Sequence, residues 1–369
     1  MTSPSESPSV PAFPVGPGRG AAVCAIASPA RSSLELILKP LQPVLALASV
    51  TELCINRPGE LFIEATGGWR REVWPQLDLT WCRSFAKLVA NYTRQRIDES
   101  SPLLSASLPS GERVQIVLPP ATTAGTVAIT IRRPSREVWT IGELAARGIF
   151  RPLRSGHRIG APAGQTIDGG VSAQLVARLS AGDYEGFMRQ AVLSRQNIVV
   201  SGPTGSGKTT WTRALIREIP GHERLITIED AAELTLDRHP NHVRLFYSKD
   251  DQGLARVTPK QLLESCLRMR PDRILLAELR AEEAFDYLRN VNSGHPGSIT
   301  SVHAGSCELA FEQLGLLVKQ SAGGREMARA DIQNLLHRLI DVVIQFGVTD
   351  HQRTIREIWY VPAGKRTAG

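Results

Sequence analysis

The sequence predicts two folded regions of different class: a small α+β unit over residues 34–133 and a larger α/β unit over 171–369, whose sheet is mostly parallel. Three observations carry this reading. The first third alternates short apolar runs with turn residues and holds one helical stretch. The second half spaces four apolar strand candidates with helical patterns, the signature of a parallel sheet covered on both faces. A glycine-rich run follows the first of those apolar runs directly and opens a helix. A length of 369 residues suits two domains, at roughly 100–200 residues each.

In chain order, residues 1–33 carry Pro at 4, 8, 11, 14 and 17 and are expected to form a disordered tail. Small apolar residues near its end resemble a leader peptide, but Glu6 and the lack of a basic start argue against one. Residues 34–48 place Leu and Ile at helical spacing, interrupted by Pro40 and Pro43. Residues 51–56 read as a strand, 57–60 (Arg-Pro-Gly-Glu) as a turn and 61–64 as the returning strand. Leu79, Phe85, Leu88 and Val89 mark a helix over 79–96, and 113–118 and 126–132 read as two more strands. Residues 134–170 are rich in Pro, Gly and Arg, with a helical piece at 141–146, and read as a long linker. A single helix is expected over 171–194. Strands follow at 198–201, 225–228, 274–277 and 298–302, separated by helices at 208–218, 259–268 and 281–291. In such sheets ligands sit outside the carboxyl ends of the strands, so the residues that end them are expected to converge.

Charge and cysteine content narrow the function classes. Hydrophobic residues make up 42% and charged residues 21%, which excludes global disorder. No apolar run approaches the roughly 18–20 residues of a membrane span. Lys and Arg total 43 against 36 Asp and Glu, a net charge of +7 that favours acidic partners: nucleotide, nucleic acid or an anionic membrane surface. The five cysteines form no CxxC pair, so neither a zinc ribbon nor a disulfide framework is expected.

The strongest chemical signal is Gly202-Pro-Thr204-Gly205-Ser206-Gly207-Lys208-Thr209-Thr210, a full GxxxxGK[ST] with strand before and helix after. Glycines let backbone N–H groups wrap phosphates, Lys208 supplies charge to the β- and γ-phosphates, and Thr209 offers a hydroxyl to Mg²⁺. Glu278 follows an apolar strand and is placed to hold a Mg²⁺-bound water or orient the attacking one. Glu229, Asp230 and Glu233 cluster after the second strand; they either position water at the γ-phosphate or complement a helix dipole. His303 ends the fourth strand, where it is either a structural histidine or a donor to the γ-phosphate; His295 is the weaker candidate.

The segment Met269-Arg-Pro-Asp-Arg-Ile-Leu-Leu-Ala-Glu-Leu-Arg-Ala-Glu-Glu-Ala-Phe, followed by Asn292-Ser-Gly-His-Pro-Gly-Ser-Ile-Thr-Ser-Val-His-Ala, resembles the type IV secretion and conjugal DNA-transfer traffic ATPases. These belong to a superfamily that also powers type II secretion and type IV pili. Four boxes match in order over residues 34–362: Walker A at 202–209, an acidic box at 225–234, Walker B at 273–280 and a His box at 297–304. The resemblance implies a RecA-like ATPase domain that binds ATP and Mg²⁺, with Thr209 and Glu278 at the metal. It implies that Glu229 helps activate water, that Glu278 is the Walker B carboxylate and that His303 is linked to the γ-phosphate. It further implies nucleotide contacts from the first domain by Arg113 and Arg132. Homohexamers on the cytoplasmic face of the inner membrane, partnered by other channel ATPases and inner-membrane channel subunits, are the assembly it implies. The absent tetracysteine insert and the Asn56-Arg-Pro-Gly-Glu hairpin favour the type IV branch over type II relatives. A pilus motor, a nucleotide-gated scaffold with little turnover and a nucleic-acid motor are the rival expectations.

Overall fold

The computed structural model describes residues 29–362 apart from 66, 135–136, 152, 154–156, 160–169, 248–256, 282 and 350–351. Residues 1–28 of the expected tail and much of the expected linker therefore lie outside the described residues. Helix α1 (Pro29–Leu38) begins at Pro29 rather than near Leu34. Pro40 lies between it and the single turn α2 (Gln42–Leu45), because a proline lacks the N–H that would continue a helix, while Pro43 sits in the first turn of α2, where that N–H is not needed.

Strands β1 (Val50–Ile55), β2 (Glu60–Ala65) and β3 (Gly68–Val73) form a meander, and helix α3 (Leu79–Thr93) follows. Strands β4 (Leu103–Ser107), β5 (Arg113–Val117) and β6 (Ala128–Arg132) complete a six-stranded sheet of order β3-β2-β1-β6-β5-β4, antiparallel throughout. One face of it is apolar: Leu53 and Ile55 of β1, Ile116 of β5 and Ile129 and Ile131 of β6 are buried against Phe85 and Val89 of α3 and Leu34 of α1. The Asp78 side chain caps α3 by accepting from Trp81 N at 2.7 Å, and Arg94, at φ 54°, ends it short of the expected 96.

The rest of the chain alternates. Helix α4 (Ile141–Ala146) carries a capping box in which Thr140 and Glu143 satisfy each other's backbone. The short strand β7 (His157–Ile159) precedes α5 (Val171–Ser180) and α6 (Tyr184–Leu193). These two replace the single helix expected over 171–194. Gly182 takes φ +74° and Asp183 recaps the chain by accepting from Gly186 N at 2.9 Å, so the helical spacing continues while the axis breaks. Then come β8 (Ile198–Ser201), α7 (Lys208–Arg217), β9 (Leu225–Glu229), β10 (His242–Phe246), α8 (Pro259–Cys266), β11 (Arg273–Leu276), α9 (Glu283–Asn292) and β12 (Ile299–Val302). Helices α10 (Cys307–Gln320) and α11 (Arg329–Leu339) and the antiparallel pair β13 (Val342–Thr349) and β14 (Gln352–Tyr360) complete the described chain.

Strands β10-β9-β11 pair in parallel, as do β12-β8-β13. Side chains join the two groups: Ser298 Oγ donates to Ile274 O at 2.6 Å and Ser301 Oγ to Ala277 O at 2.9 Å. Both bonds span 24 residues, so β11 runs parallel beside β12. The strands β9, β11, β12 and β8 therefore lie side by side, ending on one edge. Their residues alternate between two cores, as a strand's period of two requires. Ile198, Val200 and Leu225 pack with Trp211 and Leu215 of α7; Val199, Ile226 and Ile228 pack with Leu288 of α9 and Leu314 of α10.

The opposite edge is locked by polar anchors. Asn197 Oδ1 accepts from Gly297 N at 2.8 Å and Ser298 N at 3.2 Å, while its Nδ2 donates to Leu339 O at 2.7 Å, tying the starts of β8, β12 and β13 together. Arg273, fully buried, grips Glu223 with two donors (2.6 and 3.1 Å) and donates to Val192 O at 2.9 Å. Glu223→Ala strands this guanidinium in a dry site. It is expected to lower the unfolding free energy by about 3–5 kcal/mol, read as a drop in the urea midpoint by circular dichroism; an unchanged midpoint would show the pair to be incidental.

Candidate functional site

Strand β8 leaves the sheet at Ser201 and enters the glycine-rich loop. Gly202 adopts φ +150°, and a Cβ there would lie 2.8 Å from Phe346 Cβ and 2.9 Å from Phe346 O, so glycine is required. Gly207, at φ +98°, is the N-cap of α7. The first-turn N–H groups of α7 face the loop without intrahelical acceptors, a ready anion site. Pro203, Thr204 and Gly205 are exposed, Thr209 and Thr210 are half-buried, and Ser206 and Lys208 are buried. Ser206 Oγ is buried with no hydrogen-bond partner in the structure. A cradle of positive-φ glycines, unpaired donors and one buried amine fits a polyphosphate chain.

Lys208 is held back by the loop itself. Its Nζ donates to Gly202 O at 2.7 Å and Pro203 O at 3.1 Å and reaches His303 Nδ1 at 3.2 Å. Burial pulls the amine down to about 8, with Arg132 and Arg280 adding to the fall and Glu278 opposing it. With the ammonium donating to Nδ1, the imidazole proton sits on Nε2, which lies 2.6 Å from Glu278 Oε1.

The ends of β8, β9, β11 and β12 do converge. Glu278 closes on His303 from one side and on Arg280 from the other, where Arg280 Nη2 donates to Glu278 Oε2. Arg280 Nη1 donates to Asp230 Oδ2 at 3.0 Å, and Arg113 of β5 reaches Asp230 Oδ1 at 2.8 Å and Glu233 Oε1 at 3.1 Å. Thr209 Oγ1 donates to Glu233 Oε2 at 3.3 Å. A continuous chain of charge therefore runs from the antiparallel sheet, through the acidic loop and Glu278, to Lys208. Arg132 pairs across the strand with Arg113, is exposed, and adds positive potential at Lys208. His295 lies apart, its Nδ1 3.1 Å from Pro271 O.

Glu229 differs from the expectation of a water-activating carboxylate. It is fully buried, and both oxygens are engaged. Oε1 accepts from Thr227 Oγ1 at 2.8 Å and Arg244 Nε at 3.0 Å; Oε2 accepts from Glu233 N and Leu234 N at 2.8 Å and from Arg244 Nη2 at 3.0 Å. In this conformation Glu229 fixes the shape of the acidic loop. Three arginines join the site through the tertiary structure: Arg280, Arg244 and Arg213, whose Nε donates to Glu233 O at 2.6 Å. Arg280 sits two residues after Glu278, inside the Walker B box, and was legible there; Arg244 lies on an edge strand with no motif.

The lowered pKa of Lys208 would make phosphate binding at this loop pH-dependent. Phosphates bind the ammonium form. Below about pH 8 the ligand-free amine is already charged, and above it binding must take up a proton. Nucleotide Kd is therefore expected to be flat below pH 8 and to rise above it, approaching about tenfold per pH unit. Fluorescence titration from pH 6.5 to 9.5 reads this; a profile flat to pH 9.5 would remove Lys208 from the binding step.

Residues 177–356 match the family described as Type II/IV secretion system protein. The chain is 47% identical over 340 residues to the type IV secretion system protein VirB11 of Brucella suis, covering 91% of this chain and 92% of that one. It is 44% identical over 345 residues to VirB11 of Bartonella quintana, covering 90% and 95%. Among solved structures, the VirB11 ATPase of the Brucella suis type IV secretion system, in complex with sulphate, is 46% identical, covers 90% of this chain and 95% of that chain, and aligns with a TM-score of 0.50. With 47% identity over 91% of its length, the chain belongs to the VirB11 family of type IV secretion system proteins.

Proposed function

We propose that this chain is a MgATP-hydrolysing motor that energises a type IV secretion or conjugal-transfer channel, as a homohexameric ring on the cytoplasmic face of the inner membrane. Residues 171–369 form its RecA-like P-loop domain, 34–133 its N-terminal domain and 134–170 the linker, behind a tail over 1–33. The observation that carries the reading is the line of contacts Lys208–His303–Glu278–Arg280–Asp230–Arg113, which joins a phosphate cradle to a second sheet. Chemistry at one end of such a line is felt as domain movement at the other, which a motor requires. By the same reading its partners are other channel ATPases, inner-membrane channel subunits and the anionic membrane surface. No helix among the described residues is long and apolar enough to cross a membrane.

Gly202, Thr204, Gly205, Ser206, Gly207, Thr209 and Thr210 line the cradle, and Lys208 moves from the loop carbonyls to the β- and γ-phosphates. Bound Mg²⁺, held by Thr209 and Glu278, would neutralise charge developing on the phosphate oxygens. Glu278 orients the attacking water, and His303 Nε2–H donates to the γ-phosphate. Glu229 holds the acidic loop around the site. Arg113 and Arg132 approach the phosphates from the N-terminal domain and stabilise the charge that develops as the β–γ bond breaks.

A single assay panel tests the roles. Lys208→Ala is expected to abolish turnover and weaken nucleotide binding, and Glu278→Gln to keep binding and lose hydrolysis. Arg113→Ala and Arg132→Ala are expected to depress kcat by about 10³-fold, as an arginine finger does, with a smaller effect on affinity. Normal kcat in the lysine variant would end the ATPase reading; normal kcat in both arginine variants would end only the inter-domain part.

Assembly is expected to follow the nucleotide. Native mass spectrometry with MgATP or a non-hydrolysable analogue should give six subunits, and a fully active monomer at micromolar concentration would exclude the ring.

A further inference from the structure

The glycine-rich loop leans on the β13–β14 pair at both ends. Gly202 meets Phe346 of β13, and a Cβ on Gly207 would lie 3.4 Å from Arg353 Cδ and 3.7 Å from Arg353 Cβ. Arg353 of β14 thus lays its aliphatic stem against the N-cap of α7. Its backbone is fixed. It pairs with Val348 across the strands, the next two residues, Thr354 and Ile355, are buried, and Ile355 N donates to Ile149 O at 2.8 Å. The Arg353 side chain is exposed, and among the described residues its guanidinium has no hydrogen-bond or ion-pair partner. Arg356 of the same strand differs, since its Nη2 donates to Val348 O at 2.6 Å. The cations across the loop are held as well, Lys208 by Gly202 O and Arg280 by Asp230 and Glu278.

Strand order gives a bound polyphosphate its direction. Strand β8 lies between β12 and β13, with β14 beyond β13. Glu278 and His303 follow β11 and β12, on one flank of the loop, and Arg353 stands on the other. A chain of phosphates whose γ end faces Glu278 turns its α- and β-phosphates toward Arg353. We propose that Arg353 is a further nucleotide-binding residue, whose guanidinium takes the α- and β-phosphate end of the ligand at the N-cap of α7. The inference rests on the ATPase reading above. An anion there already feels the field of the helix N-terminus, and a guanidinium adds a planar fork matched to phosphate oxygens. Arg353 surrenders no partner on binding, so its contact is not offset by a lost one, as that of Lys208 is. The α- and β-phosphates also remain after the γ-phosphate has left. Arg353 therefore grips ATP and ADP alike and holds the product while the contacts on the γ flank let go. No bond is made or broken in this step.

Arg353→Gln keeps the stem as far as Cδ and removes the charge. With fluorescent ATP and ADP analogues in Mg²⁺, both Kd values are expected to rise by the same factor, about ten- to hundredfold, the weight of a charge-assisted hydrogen bond. Inorganic pyrophosphate, as a competitor of the ADP analogue, should weaken by that factor too, and Arg353→Lys should recover most of each loss. A loss confined to ATP would place Arg353 at the γ-phosphate. A loss for both nucleotides with pyrophosphate unaffected would place it at the base or ribose. Unchanged Kd values would leave it a solvated arginine, and a loss that lysine fails to recover, with a lowered unfolding midpoint, would reduce it to packing. Each of these four results overturns the proposal. A wild-type protein that binds neither nucleotide would instead overturn the ATPase reading, and this inference with it.

Discussion

The site depends on the parallel register of four short strands. In an antiparallel arrangement the residues after β8, β9, β11 and β12 would fall on opposite edges and could not meet. Parallel pairing puts Gly202, Asp230, Glu278 and His303 on one edge. The join between β11 and β12 is made by Ser298 and Ser301, each donating to a carbonyl 24 residues earlier. Asn197 and Arg273 hold the far edge, so a slip of one residue would break buried polar contacts as well as exchange the two apolar faces.

At the near edge Lys208, Asp230, Glu233, Glu278 and Arg280 already have internal partners. The loop carbonyls take Lys208, Asp230 and Glu233 take Arg113, and Arg280 bridges Asp230 to Glu278. Binding of a polyphosphate at this edge would therefore be an exchange of partners. Its affinity reflects the difference between phosphate contacts and the contacts surrendered, and that difference is felt on both sheets. Such an arrangement favours transmission over tight binding, since each new contact at the phosphate releases an old one elsewhere.

Much of this was legible in the residues. The glycine-rich loop declares itself because positive-φ backbone leaves few other choices, as the close approach of Phe346 to Gly202 shows. Glu278 stood out because it follows an apolar strand, and His303 because it ends a strand after a Gly/Pro turn. The break at Gly182 was not, because both helices keep the same apolar period across it. The exposed edge strand β3 carries little apolar signal, β10 is a short edge strand of only five residues, and the elements after His303 were not resolved into strands and helices.

The sequence by itself determined the mixed α/β class, the glycine-rich loop after β8 and the strand-end acids, since these rest on local rules of backbone geometry and periodicity. Tertiary structure alone decided what those acids do. Glu229 and Asp230 are neighbours of the same charge, yet one is sealed under Arg244 and two backbone amides while the other faces Arg113 and Arg280. Their difference comes from partners far away in the chain, 117 residues in the case of Arg113, and no local pattern encodes which distant cation will arrive.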